Sequence, residues 1–118
     1  MQKYITSLLV IATLLASSGV NAAAWCQGNI TNIVVHNNGA VNIYSTWRSA
    51  WTVICNVKTE WKDVPSEVCF TWFSIANTSI VENKTAVAYY PAIEQADCAT
   101  MDLNTSAPGP GYLRLNQY

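Results

Sequence analysis

Three tryptophans and one arginine lie close together in the sequence and are its best candidates for binding another molecule. Trp47 and Trp51 flank Arg48 in "STWRSAWTVIC", and Trp61 follows in a charged stretch. An indole ring offers a large apolar face with a polar edge, so both protein partners and the apolar face of a sugar can pack against it. An arginine can stack on a ring, pair with an acid across a subunit interface, or contact a ligand. These four residues are the candidate binding residues.

Residues suited to catalysis are sparse. The only histidine, His36, lies in "VHNNGA", a turn sequence in which a solvated ring is the expected state. Glu94 and Asp97 are an acidic pair without an oxygen-rich calcium loop around them, so surface charge is the better interpretation. No nucleophile elbow and no phosphate-binding glycine loop occurs. The sequence predicts neither an enzyme nor a cofactor.

The four cysteines, Cys26, Cys55, Cys69 and Cys98, are even in number and belong to a small chain. Such a count in an exported domain predicts two disulfides. A metal site is the weaker alternative, because no pair has C-x-x-C spacing and only one histidine is present. The cysteine count alone allows three pairings.

The first residues resemble a signal peptide. Lys3 precedes an apolar run over residues 5–16, and small residues then predict cleavage after Ala22 or Ala24. The run is short for a membrane span, which needs about 20 residues, and no other run is long enough for insertion. We therefore expect a signal peptide at 1–22 and one secreted or periplasmic domain at 23–118. With a net charge of −1 and no basic cluster, binding to nucleic acid is disfavoured.

The coarse element order is three strands, one helix and two strands. A β-hairpin is predicted over 29–47 with its turn at "HNNG" (36–39), followed by a strand at 51–55. Apolar residues at helical spacing predict a helix over 66–81 with Ser66 as its N-cap and Asn83 as its stop. Two further strands are expected at 85–90 and 112–118. Tyr89 and Tyr90 are adjacent in the first of these, so at most one faces the core.

Strand alternation assigns the aromatic residues to faces. Trp47 continues the face of Val41 and Ile43, and Trp51 shares a face with Cys55, so both tryptophans are expected in the core or at a subunit interface. Arg48 and Trp61 are then the preferred contacts to a ligand.

This element order matches an all-β to α+β fold, a five-stranded OB-type β-barrel with its helix between strands 3 and 4. In that barrel the first strand lies antiparallel to the fourth, which brings Cys26 towards Cys98. The end of the third strand, Cys55, approaches the helix start at Cys69. The barrel therefore predicts the disulfides Cys26–Cys98 and Cys55–Cys69.

The helix and the strand after it also resemble a known family. Trp72-Phe73 and Ala76, followed by "AVAYY" (86–90), are similar to the B subunits of AB5 bacterial toxins of the subtilase-cytotoxin and typhoid-toxin type. The resemblance covers about half of the chain after residue 22 and uses common residue types. It implies an OB-fold that assembles into a pentamer and binds host glycans. It assigns no glycan-contact residue to a numbered position here.

The functional expectation is an exported, non-enzymatic recognition module. Its partner would be a glycan or a cell-surface protein, and it would self-associate like a toxin B subunit. The alternative is a monomeric exported accessory or inhibitor protein whose aromatic residues serve only the core.

Overall fold

The computed structural model describes residues 22–116, so the signal peptide predicted at 1–22 lies almost wholly outside the described residues. The element order agrees with the predicted one, and a short 3-10 helix (Gln95–Ala99) adds a helical turn before the last strand. The strands and the long helix are β1 (Ala24–Val35), β2 (Ala40–Ser45), β3 (Ala50–Asn56), α1 (Ser66–Val81), β4 (Thr85–Tyr90) and β5 (Tyr112–Leu115).

The five strands form one antiparallel sheet in the order β3-β2-β1-β4-β5. The long strand β1 is central: its first half pairs with β4 from Ala24, and its second half pairs with β2 up to Val35. The pairing shifts between Ile30 and Asn32, where β1 exchanges one partner for the other. The sheet is open, with β3 and β5 at its two edges. The closed barrel therefore stays a prediction.

The predicted hairpin turn is confirmed. Gly39 adopts φ +94°, a conformation that glycine reaches without steric penalty. A Cβ added at this position would lie 2.3 Å from Oδ1 of Asn56, so the close approach of this turn to the end of β3 also requires glycine.

A β-bulge in β3 changes which face its side chains occupy. Val41 pairs with Cys55 and Asn42 pairs with Val53, so Ile54 is the extra residue. Ile54 and Cys55 are both in the core, and the alternation before them is inverted. The expectation that Trp51 shares a face with Cys55 is therefore wrong.

Helix α1 spans the predicted residues 66–81, but its N-cap is Pro65 and not Ser66, which is the first helical residue. Pro65 has the extended backbone of an N-cap, with φ −62° and ψ 149°, and its carbonyl oxygen accepts from the N–H of Cys69, while no side chain caps the helix. The helix ends as predicted, with Asn83 in the left-handed region at φ 53°. Its buried face packs on the sheet, contacting both edge strands, β3 and β5, and is formed by Cys69, Trp72, Ala76 and Ser79.

Two disulfides staple this arrangement. Cys26–Cys98 joins the start of β1 to the 3-10 helix, and Cys55–Cys69 joins the end of β3 to α1. These are the pairings that the strand order predicts. Two structural disulfides in a small domain indicate an oxidising setting, either extracellular or periplasmic. In the described part of the chain, no helix is long and apolar enough to cross a membrane.

Candidate functional site

Trp47 and Arg48 lie in the turn between β2 and β3 and serve mainly the fold. The Trp47 side chain is only 9% exposed and packs in the core, as its strand alternation predicts. Arg48 is partly buried, and its Nε donates a hydrogen bond of 2.7 Å to the carbonyl oxygen of Met101. The arginine thus ties this turn to the chain that follows the 3-10 helix, and its binding role stays a prediction.

Trp61 is partly buried, although its charged surroundings favoured an exposed ring. It pairs with Val64 across a tight turn in which Lys62 and Asp63 both adopt positive φ. Nζ of Lys62 lies 4.7 Å from the centroid of the indole ring, a cation–π contact. One face of the ring therefore already has a cationic partner.

Trp51 lies on the outer face of the sheet, where the bulge at Ile54 places it. It is directly opposite Tyr44 on β2, and the two rings meet edge to face with centroids 5.6 Å apart. Trp51 is partly exposed. Of the four candidate residues, it is the one that lines a cleft on this outer face.

This outer-face cleft consists of two adjoining hollows that share three lining residues. Their volumes are about 330 and 290 Å³. Ligand pockets span about 300–1,000 Å³, so each hollow suits one small ring and not an extended molecule. The lining residues are Val34, His36, Asn38, Ala40, Asn42, Trp51, Val53, Asn104 and Thr105.

Asn42 is the least satisfied polar group of the cleft. The residue is 8% exposed, and its Nδ2 donates to Nε2 of His36 over 3.2 Å. That bond requires His36 to carry no proton on Nε2. Oδ1 of Asn42 is buried and has no hydrogen-bond partner within the described residues. A buried acceptor without a partner destabilises a fold by about 1–3 kcal/mol, so a donor brought by a ligand would be favourable here.

Asn104 closes the side of the cleft next to the free edge of β3. Its backbone N–H donates to the carbonyl of Trp51 (3.0 Å), and its carbonyl accepts from the N–H of Val53 (3.1 Å). The residue adopts φ 53°, which asparagine tolerates better than most residues. The loop is thereby fixed against β3, and its side chains form a wall over an otherwise open strand edge.

The cleft is lined by apolar, amide, hydroxyl and imidazole side chains. Within the described chain, none of its nine lining residues is Lys, Arg, Asp or Glu. The ammonium group of Lys62 lies near its rim, donating to the carbonyl oxygens of Thr105 (3.2 Å) and Ala107. The cleft therefore offers an aromatic ring, amides and an imidazole, which bind neutral polar groups.

No family model matches this chain, and neither a curated protein nor a solved structure matches it. The function must therefore be argued from the site itself. Within residues 22–116, no three His, Cys, Asp or Glu side chains form a group that could hold a metal ion.

A larger cavity, of about 430 Å³, lies between the start of α1 and the loop at 109–111. Its lining includes the charged residues Lys62 and Asp63 and also Trp72. None of its lining residues has a buried polar atom without a partner. Although it is larger, this cavity therefore lacks an unpaired buried acceptor of the kind that Asn42 provides in the outer-face cleft.

A second aromatic cluster lies at the other end of the sheet. Trp25, Tyr89 and Tyr112 are cross-strand neighbours, with ring centroids 5.2 and 5.0 Å apart. Tyr90 is fully buried, as the opposite orientation of its neighbour Tyr89 requires. Tyr89 and Tyr112 stack with their planes 21° apart, whereas Trp25 is tilted by 35° against Tyr89 and stays 49% exposed.

Sequence reasoning did not identify His36, Asn42 or Asn104 as site residues. Alternation from Val41 and Ile43, which face the core, puts Asn42 and Tyr44 together on the other face of β2. The missing signal was the bulge at Ile54, which brings Trp51 to that same face.

Proposed function

We propose that this protein is an exported, non-enzymatic recognition module that binds a glycan in the outer-face cleft. The observation that carries the proposal is a partly exposed indole, Trp51, beside a buried amide oxygen of Asn42 that lacks a partner. Protein sites for sugars need an apolar ring face together with a few fixed polar groups, and this cleft supplies both.

The architecture proposed for the module is an OB-type barrel. The order β3-β2-β1-β4-β5, with β1 shared between β2 and β4, is that of such a barrel opened between its third and fifth strands. Helix α1 contacts both edge strands and so covers the gap between them. Barrels of this type bind oligosaccharides on their outer face.

Self-association like that of a toxin B subunit is the second element of the proposal. Helix α1 contains a single charged side chain, Glu67. On its outer face Phe70 and Val81 are 60% and 75% exposed, which is unusual for large apolar residues. A second copy of the chain would cover this face.

The alternative is a monomeric accessory or inhibitor protein without sugar affinity. The burial of Trp47 and Trp72 favours it, because two of the five tryptophans are then explained by the core alone.

A glycan array with the oxidised protein lacking residues 1–22 tests the proposal. We expect discrete hits that are lost in Trp51→Ala and kept in Trp25→Ala, which removes an exposed ring far along the sheet. An array without hits above background would overturn the glycan-binding function and favour the accessory protein.

Light scattering tests the assembly separately. We expect a closed oligomer of defined mass, a pentamer if the toxin resemblance extends to assembly, and dissociation in the double variant Phe70→Lys, Val81→Lys. A monomer at high concentration would contradict self-association and leave the cleft proposal standing.

A further inference from the structure

The outer-face cleft combines three properties that together restrict the chemistry of its ligand. It is small, it contains an aromatic ring at one side, and none of its lining residues is Lys, Arg, Asp or Glu. Burying a carboxylate among uncharged groups is strongly unfavourable unless a cation pairs with it. A hydroxyl group, in contrast, needs only one donor or acceptor.

The geometry points to a neutral sugar ring, and not an anionic one, as the group that this cleft binds. This inference rests on the proposed glycan-binding function and names the class of glycan. The ring stacks beside Trp51, and one of its hydroxyl or amide groups donates a hydrogen bond to Oδ1 of Asn42.

The hydrogen bonds that Asn42 makes within the protein leave its Oδ1 able to accept a donor from a ligand. One of the two N–H groups of its Nδ2 donates to Nε2 of His36. Its Oδ1 is the acceptor left without a partner. A ring hydroxyl of a neutral or an acidic sugar can donate to it, but a carboxylate can only accept, so a uronic acid must place its carboxylate elsewhere among groups that offer no cation. A carboxylate at this position would face the oxygen of Asn42 with no proton between them.

The ammonium group of Lys62 lies near the cleft and is a cation that would favour an anionic sugar. Nζ of Lys62 donates to the carbonyl of Thr105, which lines the cleft. An anionic sugar would have to draw this ammonium group away from the carbonyls of Thr105 and Ala107. The inference therefore assigns Lys62 to loop fixation, and replacing it should leave the preference for neutral over anionic sugars unchanged, even where loosening of the loop weakens both.

Isothermal titration with matched sugars tests this. The neutral probes are the methyl glycosides of glucose, galactose and N-acetylglucosamine, and the anionic probes are the methyl glycosides of glucuronic and galacturonic acid. We expect at least one neutral probe to bind at least about tenfold more tightly than either uronic acid. A uronic acid that binds as tightly as the neutral sugars, or more tightly, would overturn the inference.

Three variants assign the effect to residues. Asn42→Leu should weaken neutral-sugar binding about five- to tenfold, because it removes the acceptor at nearly constant volume. Asn37→Leu, in the same turn but outside the cleft lining, is its matched control. Lys62→Met should leave the ratio of neutral to anionic affinity unchanged, whereas a role in anion binding would change that ratio. Unchanged binding in Asn42→Leu would contradict the assigned hydrogen bond.

The glycan array separates this inference from the function on which it rests. A wild-type protein with no array hits fails as a glycan binder altogether. A protein that binds glycans on the array, yet binds none of the neutral probes or prefers the uronic acids, keeps its function and loses the neutral-sugar assignment.

Discussion

Trp47 and Trp51 lie four positions apart and have different environments. Trp47 fills the core below the β2–β3 turn, whereas Trp51 lies across from Tyr44 on the outer face. The same residue type therefore has two roles, stabilisation and surface contact, and truncation of each should separate them.

Replacing the two tryptophans should affect stability unequally. Trp47→Ala removes a core indole and should lower the free energy of unfolding by about 3–5 kcal/mol. Trp51→Ala should lower it by much less, because the ring is partly exposed. Urea unfolding of the oxidised proteins, followed by far-ultraviolet circular dichroism, measures both. Equal losses would contradict the assignment of Trp51 to the outer face.

Tyr90 should make the fold sensitive to alkali. Its phenol is fully buried, and burial raises the pKa of the Tyr90 hydroxyl above its usual value of about 10. In the unfolded chain the phenol ionises near pH 10, so above that pH the unfolded state binds fewer protons than the native state. Stability that is fully present below pH 10 is therefore lost as the pH rises.

The variant Tyr90→Phe tests this linkage. Its free energy of unfolding should fall less steeply between pH 9 and about 11.5 than that of the wild type. Tyr89→Phe, on the opposite and partly exposed face of β4, is the matched control. A slope unchanged by Tyr90→Phe would show that the buried phenol is not the alkaline trigger.

At the element scale, the hairpin turn and the end of β3 depend on each other. Oδ1 of Asn56 accepts hydrogen bonds from the N–H groups of Lys58 (2.8 Å) and Thr59 (3.2 Å). The same oxygen lies only 2.3 Å from where a Cβ on residue 39 would be. A side chain at position 39 would therefore disturb the turn that follows β3 as well as the turn between β1 and β2.

Gly39→Ala should accordingly destabilise the protein by about 1–3 kcal/mol, through positive φ and displacement of Asn56. Thermal unfolding of the oxidised variant measures the loss. Asn37→Ala, an exposed neighbour in the same turn, should unfold close to the wild type. A Gly39→Ala protein as stable as the wild type would contradict the close packing of this turn.

The elements differ in how far their residues predict them. The helix at 66–81 and the hairpin turn carry strong local signals, namely apolar spacing and "HNNG", and both are confirmed. The bulge at Ile54 carries none, because it depends on pairing between β2 and β3. Since a bulge inverts alternation, the cleft around Trp51 could not be predicted from the sequence, although its outward-facing Asn42 could.

At the scale of the whole molecule, the two disulfides constrain very different lengths of chain. Cys26–Cys98 spans 72 residues and Cys55–Cys69 spans 14. The pairing was predictable because strand order alone brings these ends together. Closure between β3 and β5, which the predicted barrel requires, is not seen in the open sheet, and no local pattern in the sequence encodes it.

Removing each disulfide should reveal this difference. In the chain-entropy model, a loop of about 15 residues contributes about 3 kcal/mol and one of about 70 contributes more than 4 kcal/mol. The pair Cys26→Ala, Cys98→Ala should therefore destabilise more than Cys55→Ala, Cys69→Ala in urea unfolding. The reverse order would indicate that packing at α1, and not chain entropy, dominates.

The most direct test of glycan recognition in the outer-face cleft is nitrogen-15 NMR of the tryptophan indoles. The five tryptophans give one indole N–H signal each, and a Trp51→Phe variant assigns the important one. On titration of the oxidised protein with neutral monosaccharides at tens of millimolar, we expect the Trp51 signal to move in a saturable way. The signals of buried Trp47 and Trp72 should stay in place. Saturable shifts confined to Trp25 or Trp61, or no shift at any indole, would contradict binding in the outer-face cleft.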